Sequence, residues 1–305
     1  MSDTTLLLLA ALSGLSLSII GVAFRIGQNR NVIPLHISTF MGLTGAIFFG
    51  VQADWTIVGQ LGIYVWGLAI ANAVGQIVAM HLVRVALSRG ELSPMWAAMN
   101  LTFLPVILYS AVVFTEPITA FQIAAIIAGI LCVVFAAYTQ RSEGDRPTDK
   151  PRALSARATY ALLLVAILVG NSVVFIAIKD LGTRTIGPES TLSYLAAYTA
   201  PIYFIMYLMM GLFTGTTAIL QKVKPNRIRD LFSLGLVAAF GSICGMLLLK
   251  VCVPLPAALV FTISGVMTIL GGSIASVVFF KEKMVPAWYG AVGFGILAVL
   301  LANLA

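Results

Sequence analysis

Residues 257–279 read AALVFTISGVMTILGGSIASVVF and contain no charged side chain. A helix rises about 1.5 Å per residue, so this run is long enough to cross the ~30 Å hydrocarbon core of a bilayer. Nine more such runs, bounded by charges and turn formers, lie at 4–23, 35–52, 57–83, 93–114, 118–138, 159–179, 190–213, 231–250 and 287–305. Ten spans in 305 residues leave about 30 residues for each span with its connection, so there is no room for a separate soluble domain. Composition agrees, with 60% of residues apolar and only 10% charged, where a soluble domain carries about 25% charged. The expected fold is an all-α integral membrane protein of ten transmembrane helices. Soluble enzymes and nucleic-acid-binding modules are excluded. The net charge of +7 does not point to nucleic acid, because the bases stand in short loops beside apolar runs, where they set orientation.

Counted by alternate connections, 15 of the 18 Lys and Arg follow odd-numbered spans and 3 lie at the other ends. Cytoplasmic loops carry that excess, so both termini are placed outside the cytoplasm, in a multi-pass protein of the cell (inner) membrane. The start Met1-Ser2-Asp3-Thr4-Thr5 has an acid and no base. A secretory signal peptide needs a basic n-region, so the first span is expected to remain as a helix. The one long polar stretch holds Arg141, Glu143, Asp145, Arg146, Asp149, Lys150, Arg152 and Arg157. It divides the chain into residues 1–138, a cytoplasmic linker at 139–158, and residues 159–305. Cys132, Cys244 and Cys252 are odd in number and two lie in apolar runs, so they read as packing residues. No metal or cofactor is expected, and the partners are the lipid bilayer and a small-molecule solute. Nothing calls for a second protein chain.

A shift of 166 positions aligns Gly75 with Gly241, Met80 with Met246, Arg84 with Lys250, Thr102 with Thr268, Ser110 with Ser276, Phe114 with Phe280 and Glu116 with Glu282. No gap is needed from about 75 to 136. The first spans align at a shift of 156, which pairs Leu6-Leu7-Leu8 with Leu162-Leu163-Leu164, Gly14 with Gly170 and Ser16 with Ser172. The chain therefore reads as two five-helix repeats, and because five is odd the second must be inverted in the membrane.

With these motifs the chain resembles the drug/metabolite transporter superfamily, in particular its EamA-type members. The resemblance lies in Val112-Val113-Phe114-Thr115-Glu116-Pro117 and Val278-Phe279-Phe280-Lys281-Glu282-Lys283, each followed by a Gly-containing helix, and in Gly170-Asn171-Ser172 through Lys179. At span 1 the family often has Trp-Gly where Leu12-Ser13-Gly14-Leu15 stands here. The resemblance implies a carrier of small organic solutes, often an exporter of amino acids, drugs or other metabolites, and names no particular one.

Polar side chains inside a bilayer are costly and face the bundle interior, so they are the first candidates for a solute path. Asn72 and Gln76 share one face of span 3, and Trp96, Asn100 and Phe103 share one face of span 4, just before Pro105. Asn171 lies in span 6, Tyr194 and Tyr198 precede Pro201 in span 7, and Thr268 lies in span 9. Of the two tyrosines, Tyr198 is the deeper, and Tyr194 suits the interfacial aromatic belt. Glu116 and Glu282 stand at helix ends, where a carboxylate capping the next helix explains them. His36 and His81 read as wetted residues at the membrane edge. The spacings Gly67, Ala71, Gly75 and Gly241, Gly245 suit close helix approach. All eleven acids, including Asp180, fall in loops or at span ends by these boundaries. Transport is therefore expected to do without a carboxylate buried in the membrane.

A carrier working by alternating access suits ten helices, inverted repeats and scattered neutral polar groups. The alternatives are a proton-coupled or exchange transporter of a sugar, nucleotide-sugar or organic phosphate, and more remotely a membrane enzyme or a channel. An enzyme would need a nucleophile with its base, a metal site or paired carboxylates, and a channel would show rings of charge or a repeated filter; none of these is visible. The chain is not expected to be an enzyme. The orientation is directly testable: a C-terminal reporter that matures only in the cytoplasm should stay silent, and a strong signal from it would overturn the assignment.

Overall fold

Backbone amides find no water inside hydrocarbon, so apolar runs of this length satisfy their own hydrogen bonds as helices. A computed structural model of the chain describes residues 3–58, 63–89, 99, 101–144, 154–185, 192–225, 227–252, 254–281 and 286–304. Among the described residues there are ten main helices and no strand: α1 (Asp3–Asn29), α2 (Pro34–Gln52), α3 (Ile63–Arg89), α4 (Phe103–Val113), α5 (Ala120–Gly144), α6 (Leu154–Thr185), α7 (Leu192–Leu220), α8 (Ile228–Val251), α9 (Ala257–Phe280) and α10 (Pro286–Asn303). A single helical turn, Trp55–Val58, precedes α3. Among the described residues six stretches are long and apolar enough to cross a membrane: Asp3–Gly27, Pro34–Gln52, Leu162–Thr183, Thr199–Leu220, Ile228–Val251 and Ala257–Phe280. The apolar stretches in α3, α4, α5 and α10 are shorter.

Local chemistry sets the helix ends. Pro34 opens α2 and Pro286 opens α10, where the missing N–H has no intrahelical partner to lose. Thr119 and Gln122 form a reciprocal capping box ahead of α5: the Gln122 side chain accepts from the Thr119 amide at 3.0 Å and the Thr119 hydroxyl accepts from the Gln122 amide at 3.2 Å. Beyond α4 and α9, Thr115 (φ 51°) and Lys281 (φ 54°) both take the left-handed conformation that stops a helix. Asp54 opens the turn Trp55–Val58 by accepting from the Thr56 hydroxyl at 2.6 Å and the Thr56 amide at 3.0 Å. Those two bonds, the hydroxyl first, hold the Asp54 carboxyl below its ordinary pKa. The largest departure is α6, expected at 159–179, which continues through Lys179 and Asp180 to Thr185. It can do so because other helices supply the partners of both charges, as described below.

The helices interleave. α1 packs between α8 and α9, α6 packs on α3 and α4, α2 packs on α7 and α8, and α7 packs on α2 and α3; α5 pairs with α10, and α4 meets α9. One buried cluster joins α4, α5, α9 and α10 with Leu6 and Ala10 of α1. A second joins α2, α7 and α8 with Ala23 of α1 and with Val174 and Ile178 of α6. The outward side is apolar as well, with Ile47, Val51, Leu108, Leu162 and Phe240 exposed, as expected of helices that are hydrophobic all round.

Glycine lets the backbones touch. A Cβ at Gly75 of α3 would stand 2.8 Å from the Gly170 carbonyl oxygen of α6, and one at Gly241 of α8 would stand 2.7 Å from the Ser16 carbonyl oxygen of α1. A Cβ at Gly14 of α1 would overlap the Ser264 carbonyl oxygen of α9. Gly245 also packs on α1, against Leu17 and the Ser13 carbonyl. Gly67 departs from expectation: it is exposed, and a Cβ there would meet nothing within 4 Å among the described residues. The contrast predicts that Gly14→Ala lowers the melting temperature of the detergent-purified protein or prevents folding. Gly67→Ala should leave it unchanged or raise it, since Ala is favoured over Gly in a helix by ~0.5–1 kcal/mol.

Candidate functional site

The antiparallel course brings the start of α3, the end of α4, the last turns of α6 and the start of α9 to one end of the bundle, the end that carries residues 3 and 304. Lys179 and Asp180 are consecutive on α6 and so point about 100° apart, toward different neighbours. Lys179, 2% exposed, pairs with Glu116 at 2.6 Å and donates to the Leu255 carbonyl at 3.1 Å. The second oxygen of Glu116 accepts the amide of Ala257 at 2.8 Å. Ala257 is the first residue of α9, so the carboxylate meets an unpaired N–H at the positive end of a helix. Asp180 is fully buried and accepts hydrogen bonds from the hydroxyls of Tyr64 on α3 and Tyr109 on α4.

Two expectations change here. Glu116 does not cap the next helix, where the Thr119–Gln122 box already satisfies the amides; it caps α9 in the other half of the chain and neutralises Lys179. Asp180 is not in a loop but lies inside α6, within the apolar stretch Leu162–Thr183, so a buried carboxylate is present after all. The left-handed turn at Thr115 directs the chain after α4 so that Glu116 comes under α9.

The expected mid-membrane residues fall into three groups. Asn72 is 1% exposed, and its side-chain oxygen has no hydrogen-bond partner among the described residues. Gln76 is half-buried one turn further along α3. Asn171 of α6 donates to the Met99 carbonyl at 3.4 Å and to the Thr102 hydroxyl at 3.5 Å, both long bonds that a better acceptor would displace. Phe103 and Thr268 have packing roles. Phe103 is buried in the cluster of α4, α5, α9 and α10, and the Thr268 hydroxyl lies 3.1 Å from the Gly14 carbonyl and 2.8 Å from that of Ser264, joining α1 to α9. Trp96, Asn100 and Glu282 lie outside the described residues, as does the side chain of Tyr198 on α7. His36 is buried, against expectation, and its Nε2 has no partner among the described residues, whereas His81 is exposed beside Phe213.

Sequence reading passed over a second tyrosine pair on α7. Tyr203 and Tyr207 follow Pro201 at the same spacing of four that singled out Tyr194 and Tyr198 before it. Both are 1% exposed and pack on Phe49 of α2. The Tyr207 hydroxyl meets Ser242 of α8 at 2.5 Å, while the Tyr203 hydroxyl has no partner among the described residues. Asn72 lies one turn from Ala69, which shares a small apolar cluster with Leu181 and Ile202 where α3 meets α7, whereas Tyr203 turns to Phe49 of α2. Each is a buried polar group with an unmet atom among the described residues, and buried polar groups in native structures are normally paired.

No model of a known protein family matches the chain, and no curated protein matches it in sequence. In fold it is similar to solved structures. One crystal structure of a protein superposes with a TM-score of 0.65 at 15% identity, over 99% of this chain and 98% of that one. A likeness at that identity extends to the fold alone.

The Glu116–Lys179 pair predicts an asymmetric mutational response. Removing one partner of a buried pair costs roughly 3–5 kcal/mol because a charge is left uncompensated. Glu116→Ala should therefore lower the melting temperature more than the double variant Glu116→Gln with Lys179→Met, in which no charge is stranded.

Proposed function

We propose that the chain is a membrane carrier that moves a small organic solute by alternating access of two inverted five-helix halves. The observation that carries this reading is the correspondence between sequence repeat and packing. Under a five-helix shift, α1 on α8 corresponds to α6 on α3, α1 on α9 to α6 on α4, and α2 on α8 to α7 on α3. The pairs α2–α7, α5–α10 and α4–α9 are their own images, as a two-fold axis in the membrane plane requires. The matched glycines Gly75 and Gly241 each touch the first helix of the other half, and the matched Thr115 and Lys281 share one left-handed turn. The resemblance to EamA-type drug/metabolite transporters supports the same architecture.

The solute site is assigned to Asn72, Gln76, Asn171 and Tyr203, together with Trp96, Asn100 and Tyr198 as candidates from the sequence. Amides and a phenol beside aromatic rings suit a neutral or zwitterionic solute with an apolar part, such as an amino acid. Vesicles containing the purified protein should show saturable counterflow of such a solute. Asn72→Ala or Tyr203→Phe should raise the apparent KM about tenfold, the equivalent of ~1.4 kcal/mol and the size expected for one buried hydrogen bond. Chemical conversion of solute without flux would overturn the carrier in favour of an enzyme.

A second reading, proton-coupled transport, gains ground from Asp180, because transport is expected to do without a buried carboxylate only while every acid lies outside the spans. Uphill accumulation driven by an imposed pH gradient and lost in Asp180→Asn would establish coupling. Counterflow that persists in that variant without a gradient would exclude it.

A further inference from the structure

We propose that Glu116, Lys179, Asp180, Tyr64 and Tyr109 form a one-sided gate, a polar seal that closes the solute path at the end of the bundle carrying residues 3 and 304 and must part for solute to pass there. The inference rests on the carrier reading above and deepens it.

Three observations lead to it. First, the bonds cross between halves. Glu116 to Lys179, Glu116 to the Ala257 amide, and the two tyrosines to Asp180 each join a residue before the central linker to one after it. Separating the halves at this end breaks all four together.

Second, the positions matched to this cluster differ at the opposite end, apart from Glu282, which the shift of 166 pairs with Glu116 and which lies outside the described residues. The shift of 156 that pairs α1 with α6 puts Ala23 and Phe24 where Lys179 and Asp180 stand, and the shift of 166 puts Ala275 where Tyr109 stands. Ala23 is buried in the apolar cluster of α2, α7 and α8, and Ala275 is buried as well. Two ion pairs are described at that far end, Arg30 with Asp230 at 2.8 Å and Arg227 with Asp230 at 4.0 Å; both are largely solvent-exposed, and such pairs contribute little. The Lys179, Asp180 and Tyr109 positions thus carry charges and a hydroxyl at one end and apolar side chains at the other.

Third, the chemistry suits a seal that opens. A buried ion pair adds little stability over well-packed apolar side chains, because each charge loses its hydration. Water entering between the halves restores that hydration, which offsets the loss of the bonds. Glu116, 20% exposed, already stands at the water's edge, while Lys179 behind it is 2% exposed. Apolar contacts at the far end gain nothing comparable when wetted. Weakening the seal shifts the population toward the state open at this end.

The test uses a reporter cysteine, Gln76→Cys, in full-length protein in sealed vesicles of both orientations, labelled with a membrane-impermeant maleimide and read at that site by mass spectrometry. With Glu116→Gln or Asp180→Asn added, labelling from the side of residues 3 and 304 should rise by about threefold or more while labelling from the opposite side falls, as a two-state shift requires. Lys179→Arg, which keeps the charge, should stay near the parent value. Should either variant fail to fold, Tyr109→Phe removes a single bond and should give the same reciprocal change at smaller size. A rise from both sides would mean general loosening and would overturn the gate, as would no change from either. With flux measured in protein that keeps Gln76, reciprocal labelling without solute flux would retain the gate and overturn the carrier reading; normal flux with unchanged labelling in the variants would do the reverse.

Discussion

Close approach of one backbone to another is the constraint on which this bundle depends. A helix that is apolar on every side gains little by exchanging lipid for another apolar helix, so association relies on fit and on the few polar bonds available. Gly14, Gly75, Gly241 and Gly245 supply the fit by bringing α1 against α8 and α9, and α3 against α6. Hydroxyls use the same proximity. Ser13 donates to the Gly245 carbonyl at 2.8 Å and Thr268 reaches Gly14, bonds that longer side chains at the glycines would prevent.

That packing also explains why charges are admitted at one end. With α6 held tightly on α3, its last turns cannot swing out to water, so Lys179 and Asp180 must find partners inside. They find them in the first half of the chain: a carboxylate that also caps α9, and two phenols from α3 and α4. At the far end alanine and phenylalanine stand at the places that correspond to Lys179 and Asp180.

Much of the architecture was legible before any coordinates. Apolar runs of about 20 residues gave spans that agree with the helices to within a few residues at α2, α8, α9 and α10, because hydropathy reports the same requirement that makes a helix. The match of Glu116 with Glu282 drew attention to helix ends, and one of those glutamates proved to have a structural partner in each direction. Asn72 was legible as a costly polar residue, and it is buried with an unmet oxygen. What failed was the treatment of charge as a boundary. Ending α6 at Lys179 assumed that the next charge, Asp180, had to be wet, and that holds only where no donor is available from another helix. Spacing puts Phe103 and Thr268 each on a helix face and does not distinguish a solute-facing stripe from a packed one.

The sequence by itself determined an all-helical, apolar chain, the approximate spans, the residue types too polar to be placed without cause, and the two offsets at which its halves correspond. These follow from hydropathy, length and self-similarity, which are properties of the chain alone. Tertiary structure decided which polar groups are satisfied: that Glu116 serves α9 and not α5, that Asp180 is bonded by two tyrosines, and that Tyr203 is buried with an unmet hydroxyl. The physical reason is that a hydrogen bond or ion pair between residues 71 or 116 positions apart depends on where two helices stop and which faces they turn to each other. Many sequences with the same hydropathy would satisfy the first set of constraints, and only the packing of helix against helix selects the second.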